Sequence, residues 1–198
     1  IRGPRILAAL LVGAALAASG AAYQGLFRNP LVSPDILGVS AGAAFGAVLG
    51  IYLSLGVLAI QALAFVMGLA AVAAVYLMSA VLRRHDPLLT LVLAGILVGT
   101  LLGSSVSLIK YLADPYNQLP AITFWLLGSL SGLTVRDLQS TLPAVAAGLV
   151  PLYLFRWRMN VMTLPDEEAR ALGVDTGRMR LVIIAAATLM TAAVVAIS

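Results

Sequence analysis

Apolar positions in this chain come in long unbroken runs, and short polar clusters separate them. Residues 6–26, 36–55, 57–82, 88–112 and 138–155, and the stretch from Leu181 onward, are each almost free of charge and about 20 residues long, the length that crosses a hydrocarbon layer. The pattern predicts an all-α protein, a polytopic transmembrane helical bundle of about six spans. A further apolar run, 122–130, is too short to cross and reads as a short surface helix or a partial re-entrant element. Proline and charge break the runs: Asn29-Pro30 and Pro34 after the first, Arg83-Arg84-His85-Asp86-Pro87 after the third, and Asp114-Pro115-Tyr116-Asn117 after the fourth.

The most polar stretch is 163–180, which gathers Asp166, Glu167, Glu168, Arg170, Asp175, Arg178 and Arg180 between the last two apolar runs. Such a segment belongs in water or against another protein. Its residues predict a short helix, a turn and a new helix start. Thr163 with Asp166 has capping-box spacing, and Pro165 falls in the first turn, where a missing N–H costs nothing. The acidic triplet suits the positive end of the helix dipole, and Asp166 and Arg170 can pair on one face. Gly173 suits the residue after the helix end, and Asp175 or Thr176 can cap the next helix. On local chemistry alone the stretch is either an ordinary solvated loop or a docking surface for a soluble partner.

Charge sets the orientation. Eight of the twelve Lys and Arg residues (Arg28, Arg83, Arg84, Arg156, Arg158, Arg170, Arg178, Arg180) fall on one face, and Arg2, Arg5, Lys110 and Arg136 fall on the other. The positive-inside rule places the first face in the cytoplasm, and with it the 163–180 stretch. Ile1 is then external, which implies an earlier span; residues 1–198 read as one transmembrane domain of a longer chain. Small residues recur four apart in two runs: Gly38, Gly42, Gly46 and Gly50, then Gly95, Gly99, Gly103 and Ser107. That spacing keeps them on one helix face and lets backbones approach closely, so that helices can slide or tilt without unlocking side chains. The span interiors hold no Asp, Glu, Arg, Lys or His; they offer Ser19, Gln24, Gln61, Thr100, Ser104, Ser105 and Ser107 instead. Ser104, Ser105 and Ser107 either line a weakly polar pathway or hydrogen-bond their own preceding turn.

Composition narrows the function. With 62% hydrophobic and only 10% charged residues the chain is not a soluble domain. The net charge of +4 comes from basic residues scattered at span ends, with no aromatic-interleaved stripe that would suit nucleic acid. There is no cysteine, and one histidine, His85, builds no multi-histidine metal site. The lone lysine, Lys110, follows Ile109, so no phosphate-cradling G-x-x-x-x-G-K loop exists here. No catalytic motif is present, and transport driven by ATP would need a partner. An ion-coupled carrier or channel is the rival reading, disfavoured by ion-free spans; a membrane scaffold is a third.

Several stretches together resemble the FecCD-type permeases, the membrane subunits of ABC importers for ferric siderophores, haem and cobalamin. They are Arg2-Gly3-Pro4-Arg5 with Ser19-Gly20 and Gln24; Asn29-Pro30-Leu31 with Pro34 and Leu37-Gly38-Val39-Ser40-Ala41-Gly42; Leu93-Ala94-Gly95; Trp125-Leu126-Leu127-Gly128-Ser129 leading to Gly132; and Glu168-Ala169-Arg170-Ala171-Leu172-Gly173-Val174. The resemblance covers essentially the whole chain and is to the middle of a permease of about ten spans of about 20 residues each. It implies a homodimer in the bacterial plasma (inner) membrane, worked by cytoplasmic ATPase subunits that bind ATP and Mg, and served by an external substrate-binding protein. No cofactor or metal is implied for this chain itself. It further implies that Asp166, Glu168, Arg170, Leu172 and Gly173 couple to the ATPase, and that Asn29 and Leu31, with Leu88 and Leu89, form the cytoplasmic gate. Arg2 and Arg5 would meet glutamates of the binding protein, though both also suit membrane-interface anchoring. The fourth span, with Ser104, Ser105 and Ser107, would line the pathway.

Overall fold

The computed structural model describes residues 2–81 and 87–198, with the side chain of Arg2 excepted. Arg83, Arg84 and His85, used above for orientation, lie outside the described residues, as does any side-chain role of Arg2. Among the described residues every regular element is an α-helix: α1 (Arg2–Phe27), α2 (Val39–Tyr52), α3 (Val57–Val81), α4 (Pro87–Leu112), α5 (Gln118–Leu127), α6 (Val135–Leu154), α7 (Arg156–Val161), α8 (Asp166–Ala171) and α9 (Thr176–Val195).

Four of these helices, α1, α3, α4 and α9, are long and apolar enough to cross a membrane. The other two expected spans differ from the expectation. α2 has 14 residues, so it rises about 21 Å at about 1.5 Å per residue, short of the hydrocarbon thickness. Residues 28–38 before it are irregular, yet Val32 and Leu37 are buried. Backbone without helical hydrogen bonds is tolerated at membrane depth only where protein covers it. α6 is 20 residues long but starts in Val135-Arg136-Asp137 and carries Pro143 and Pro151 inside.

α9 is the central post of the bundle. Met179, Ile183, Ala187, Met190 and Val194 on it are all at most 5% exposed, and α1, α3 and α6 pack around it. In hydrocarbon, burial of apolar side chains gives little drive, so close backbone approach and hydrogen bonds decide the fit. Both occur on α9. At Gly148 of α6 a side chain would run into the Met190 side chain and the Ala186 carbonyl. On the α1 side, Tyr23 Oη and Thr188 Oγ1 lie 3.0 Å apart and Ser19 Oγ donates to the Ala187 carbonyl at 3.2 Å. The sequence gives no sign that Gly148 matters, because it stands outside any four-residue series.

The glycine stripes divide. Gly42 and Gly46 lie against α3, where a Cβ on Gly46 would strike the Leu63 carbonyl, and Gly50 meets Ile60 in the same groove. Gly95 admits the carbonyl of Ile36 from the irregular segment, not another helix. Gly38 is not a helical position. It stands at the N-cap of α2 at φ 76, the left-handed conformation that a glycine adopts freely. Having no side chain, it cannot cap; Asp35 does so from three residues back, accepting from Ser40 N at 2.7 Å. Gly99 and Gly103 have open space where a Cβ would go; Gly99 is half-buried beside Gly38, whereas Gly103 is exposed, with no described element over it. Gly103→Ala is therefore expected to leave the thermal unfolding midpoint of the detergent-solubilised chain unchanged.

Candidate coupling and gating site

The helix ends collect at two faces, as the charge pattern required. One face carries the start of α1, the α5–α6 connection and the end of α2: Arg5 donates to the Ser131 carbonyl through Nε at 3.1 Å and Nη2 at 2.8 Å, and Gln118 donates to the Tyr52 carbonyl at 2.8 Å. The other carries the end of α1 together with α7, α8 and the start of α9. Two aromatic–guanidinium contacts mark its rim, with Arg156 4.3 Å from the Tyr153 ring centroid and Arg158 5.4 Å from that of Phe155.

On that second face the helix–turn–helix expected at 163–180 is present, but its local chemistry differs in two places. Thr163 does not cap α8: its hydroxyl donates back to the Asn160 carbonyl at 2.7 Å, and Pro165 occupies the N-cap with no side-chain bond. The turn after α7 already satisfies Thr163, which leaves nothing to reach forward. The complete capping box stands at Thr134 and Asp137, at the head of α6. Thr134→Ala is expected to lower stability by about 1 kcal/mol, read as a drop in unfolding midpoint. Nor does Asp166 pair with Arg170. Asp166 Oδ1 accepts from Arg28 Nη2 at 2.8 Å and Oδ2 from Arg180 Nη2 at 3.1 Å. Arg170 turns to Thr176, donating from Nε to Oγ1 at 3.3 Å. A charged partner on a neighbouring element outcompetes the i,i+4 pair, which is worth only about 0.3–0.5 kcal/mol.

The C-terminal end of α8 is as expected. Gly173 stands at φ 80, its N–H donating to the Arg170 carbonyl at 2.9 Å, while Val174 N–H donates to the Ala169 carbonyl at 3.0 Å. This pair of bonds is the Schellman motif, and Ala169 and Val174, the positions whose side chains commonly meet in it, are both buried. Asp175 then caps α9, accepting from Arg178 N at 3.0 Å. The result is a rigid reversal with two sides. Ala169 and Val174 are sunk in the core, whereas Glu167, Glu168, Leu172 and Gly173 face outward, Leu172 at 56% exposure. An outward leucine flanked by acids on a rigid turn is a surface that a protein can grip.

The expected gate residues lie on the same face. Asn29 and Leu31 follow α1 directly; Asn29 Oδ1 accepts from Leu31 N at 2.9 Å, and Leu31 projects at 88% exposure. Leu88 and Leu89 stand in the first turn of α4, with Leu89 exposed. Ser104, Ser105 and Ser107 each donate to the carbonyl four residues back, at 2.9, 2.9 and 3.0 Å. Their protons are spent within α4, and only lone pairs remain free. Ser104 and Ser107 share the uncovered side of α4 with Leu93, Thr100, Gly103 and Tyr111.

On the opposite face, Asp114 organises the turn after α4 by accepting from Tyr116 N, Asn117 N and the Asn117 side chain. The Asn117 amide in particular holds its carboxyl below the ordinary aspartate range. A depressed folded-state pKa means the turn's contribution is fully present above the ordinary aspartate pKa and is lost as pH falls through the lowered value. Protection of the Tyr116 and Asn117 amides, taken as exchange relative to the intrinsic rate at each pH, is expected to hold through mildly acidic pH and to fall only below that range.

Comparison with known proteins agrees with this geometry. The chain is 41% identical over 98% of its length to the cobalamin import system permease protein BtuC of Halobacterium salinarum. It is 39% identical over its whole length to the molybdate import system permease protein MolB of Haemophilus influenzae. It spans 52% and 58% of those two relatives, a little over half their length. A solved metal-chelate type ABC transporter in an inward-facing conformation superposes on the entire chain with a TM-score of 0.93 at 37% identity, covering 63% of that chain. The model of the FecCD transport family matches residues 1–198, and the chain belongs to that family.

Proposed function

We propose that this chain forms part of the permease subunit of an ATP-driven ABC importer, in which two copies enclose a pathway for an iron chelate such as a ferric siderophore, for haem or for cobalamin. The observation that carries the reading is the rigid, outward-facing α8–Gly173 reversal on the positively charged face, in a chain with no phosphate-binding loop of its own. Energy enters there from a separate cytoplasmic ATPase, which binds ATP and Mg. Glu168, Arg170, Leu172 and Gly173 present the contact surface; half-buried Asp166, held by Arg28 and Arg180, and the Arg170–Thr176 hydrogen bond hold the shape of that surface. The membrane is the bacterial plasma (inner) membrane. The uncovered side of α4 lines the pathway between the copies, and Asn29, Leu31, Leu88 and Leu89 close its cytoplasmic end.

Arg5 belongs to the external docking surface for a substrate-binding protein. Its guanidinium is already oriented by the Ser131 carbonyl, so less freedom is lost on pairing. Arg5→Ala is expected to slow association of the binding protein about tenfold at low salt, with the difference shrinking at high salt. Substrate is assigned by thermal shift of the paired binding protein against haem, siderophores, cobalamin and molybdate. Stabilisation by molybdate alone would refute the chelate, haem and cobalamin reading.

A further inference from the structure

α1 ends on an unusual residue. Asn29 N donates to the Gln24 carbonyl at 3.2 Å and Arg28 N to the Gly25 carbonyl at 3.4 Å, the two bonds of a Schellman turn. The residue closing that turn must be left-handed, and glycine is the usual choice. Here it is Arg28, at φ 52. Only one other described non-glycine residue, Ser54, has positive φ. An arginine held in a conformation that costs its side chain something has to be held by contacts elsewhere. Arg28 has two: Nε donates to the Met162 carbonyl at 3.2 Å, where α7 ends, and Nη2 pairs with Asp166, where α8 begins. Its backbone leads straight into Asn29 and Leu31.

The other oxygen of Asp166 is held by Arg180, whose side chain is only 11% exposed and whose Nε has no partner. Arg180 borders a cavity of about 30 Å³ with Tyr76, Ser79 and Pro87, and Pro87 opens the helix whose first turn holds Leu88 and Leu89. One carboxylate on α8 thus holds both Arg28, which adjoins Asn29 and Leu31, and Arg180, which lines a cavity together with Pro87.

We infer that Arg28 is the strut that transmits movement of α8 to the first gate turn, with Asp166 as its pivot. The inference rests on the coupling reading above and specifies the mechanical link within it. A displacement of α8 pulls a charged side chain whose own backbone is the start of the gate. The backbone of α1 does not have to bend, because the left-handed residue is already a corner.

The test uses the complete transporter, with ATPase and binding protein, in proteoliposomes. Leu31→Cys is introduced with any other cysteines replaced, and reaction with an impermeant maleimide is followed with and without vanadate-trapped nucleotide. Without further change the labelling rate should differ about fivefold or more between the two states, the lower end of typical coupling. Arg28→Gly should abolish that difference while keeping the ATPase bound and the transporter assembled, since glycine suits the backbone. Arg28→Gln should behave likewise, and Arg28→Lys should retain part of the response. A full response in Arg28→Gly or Arg28→Gln overturns the strut and leaves the coupling reading standing. Loss of assembly in both also overturns it, by making Arg28 a folding residue. Labelling that ignores nucleotide in the otherwise unchanged transporter overturns the coupling reading and the strut together.

Discussion

Gly46→Leu is expected to leave almost no monodisperse protein after extraction. The groove between α2 and α3 has no room at this point: the first carbon of any side chain would strike the Leu63 carbonyl and lie 2.9 Å from Met67 Cβ. Backbone carbonyls in a helix cannot step aside, so α3 itself would have to move. That movement would separate Gly42 from Ala71 and Gly50 from Ile60 in the same groove. Even Gly46→Ala, a single methyl, should cost about 1–3 kcal/mol. Gly103→Ala is the control, since the same change is made on a membrane helix with open space. Size-exclusion profiles and unfolding midpoints in detergent distinguish the two. Equal behaviour of the Gly46 and Gly103 variants would show that the α2–α3 groove is looser than described.

Gly173→Val is expected to uncouple ATP hydrolysis from transport. Among the described residues, no atom beyond its chain neighbours lies within 4 Å of the position a Cβ would take, so the penalty is conformational and not steric. A β-branched residue at φ 80 costs about 1–3 kcal/mol. That exceeds what the six residues of α8 can supply from propensity, so the Schellman closure opens and Leu172 loses its fixed direction. Gly173→Asn is the informative companion, because asparagine tolerates the left-handed region. The asparagine variant should transport close to normally, while valine should reduce uptake per ATP hydrolysed about tenfold or more. If both variants failed equally, the role of Gly173 would lie in surface contact and not in turn geometry.

The reversal at Gly173 was legible in the sequence because its signal is local. A glycine after a short polar helix, followed by an aspartate, has few other uses, and Asp175 indeed caps α9. Local signals also misled where a longer-range partner existed. Thr163 and Asp166 have capping-box spacing, yet Asp166 is taken by Arg28, 138 residues away along the chain, and by Arg180, 14 residues away. No window of sequence contains the first of those pairs. α2 starts at Val39 and not at Ile36, where its apolar run begins, for a related reason. Residues 36–38 are apolar enough to extend the helix, but burial of the Ile36 carbonyl against Gly95 stabilises an irregular path. Gly148 was missed because a lone glycine in a proline-containing helix has no periodic signature. The serines of α4 had two open readings. The structure gives their protons to the preceding turn and leaves Ser104 and Ser107 on the uncovered side of the helix, so the two readings are not exclusive.

On the proposed mechanism, force enters at α8 and leaves at the gate. The most direct measurement is uptake into proteoliposomes holding the complete permease, with and without its ATPase subunit, in the presence of a loaded binding protein and internal ATP. Uptake should require the ATPase, stop with vanadate, and be indifferent to collapsing the proton and sodium gradients. Uptake that persisted without the ATPase and vanished with an ion gradient would contradict the account and restore the ion-coupled carrier.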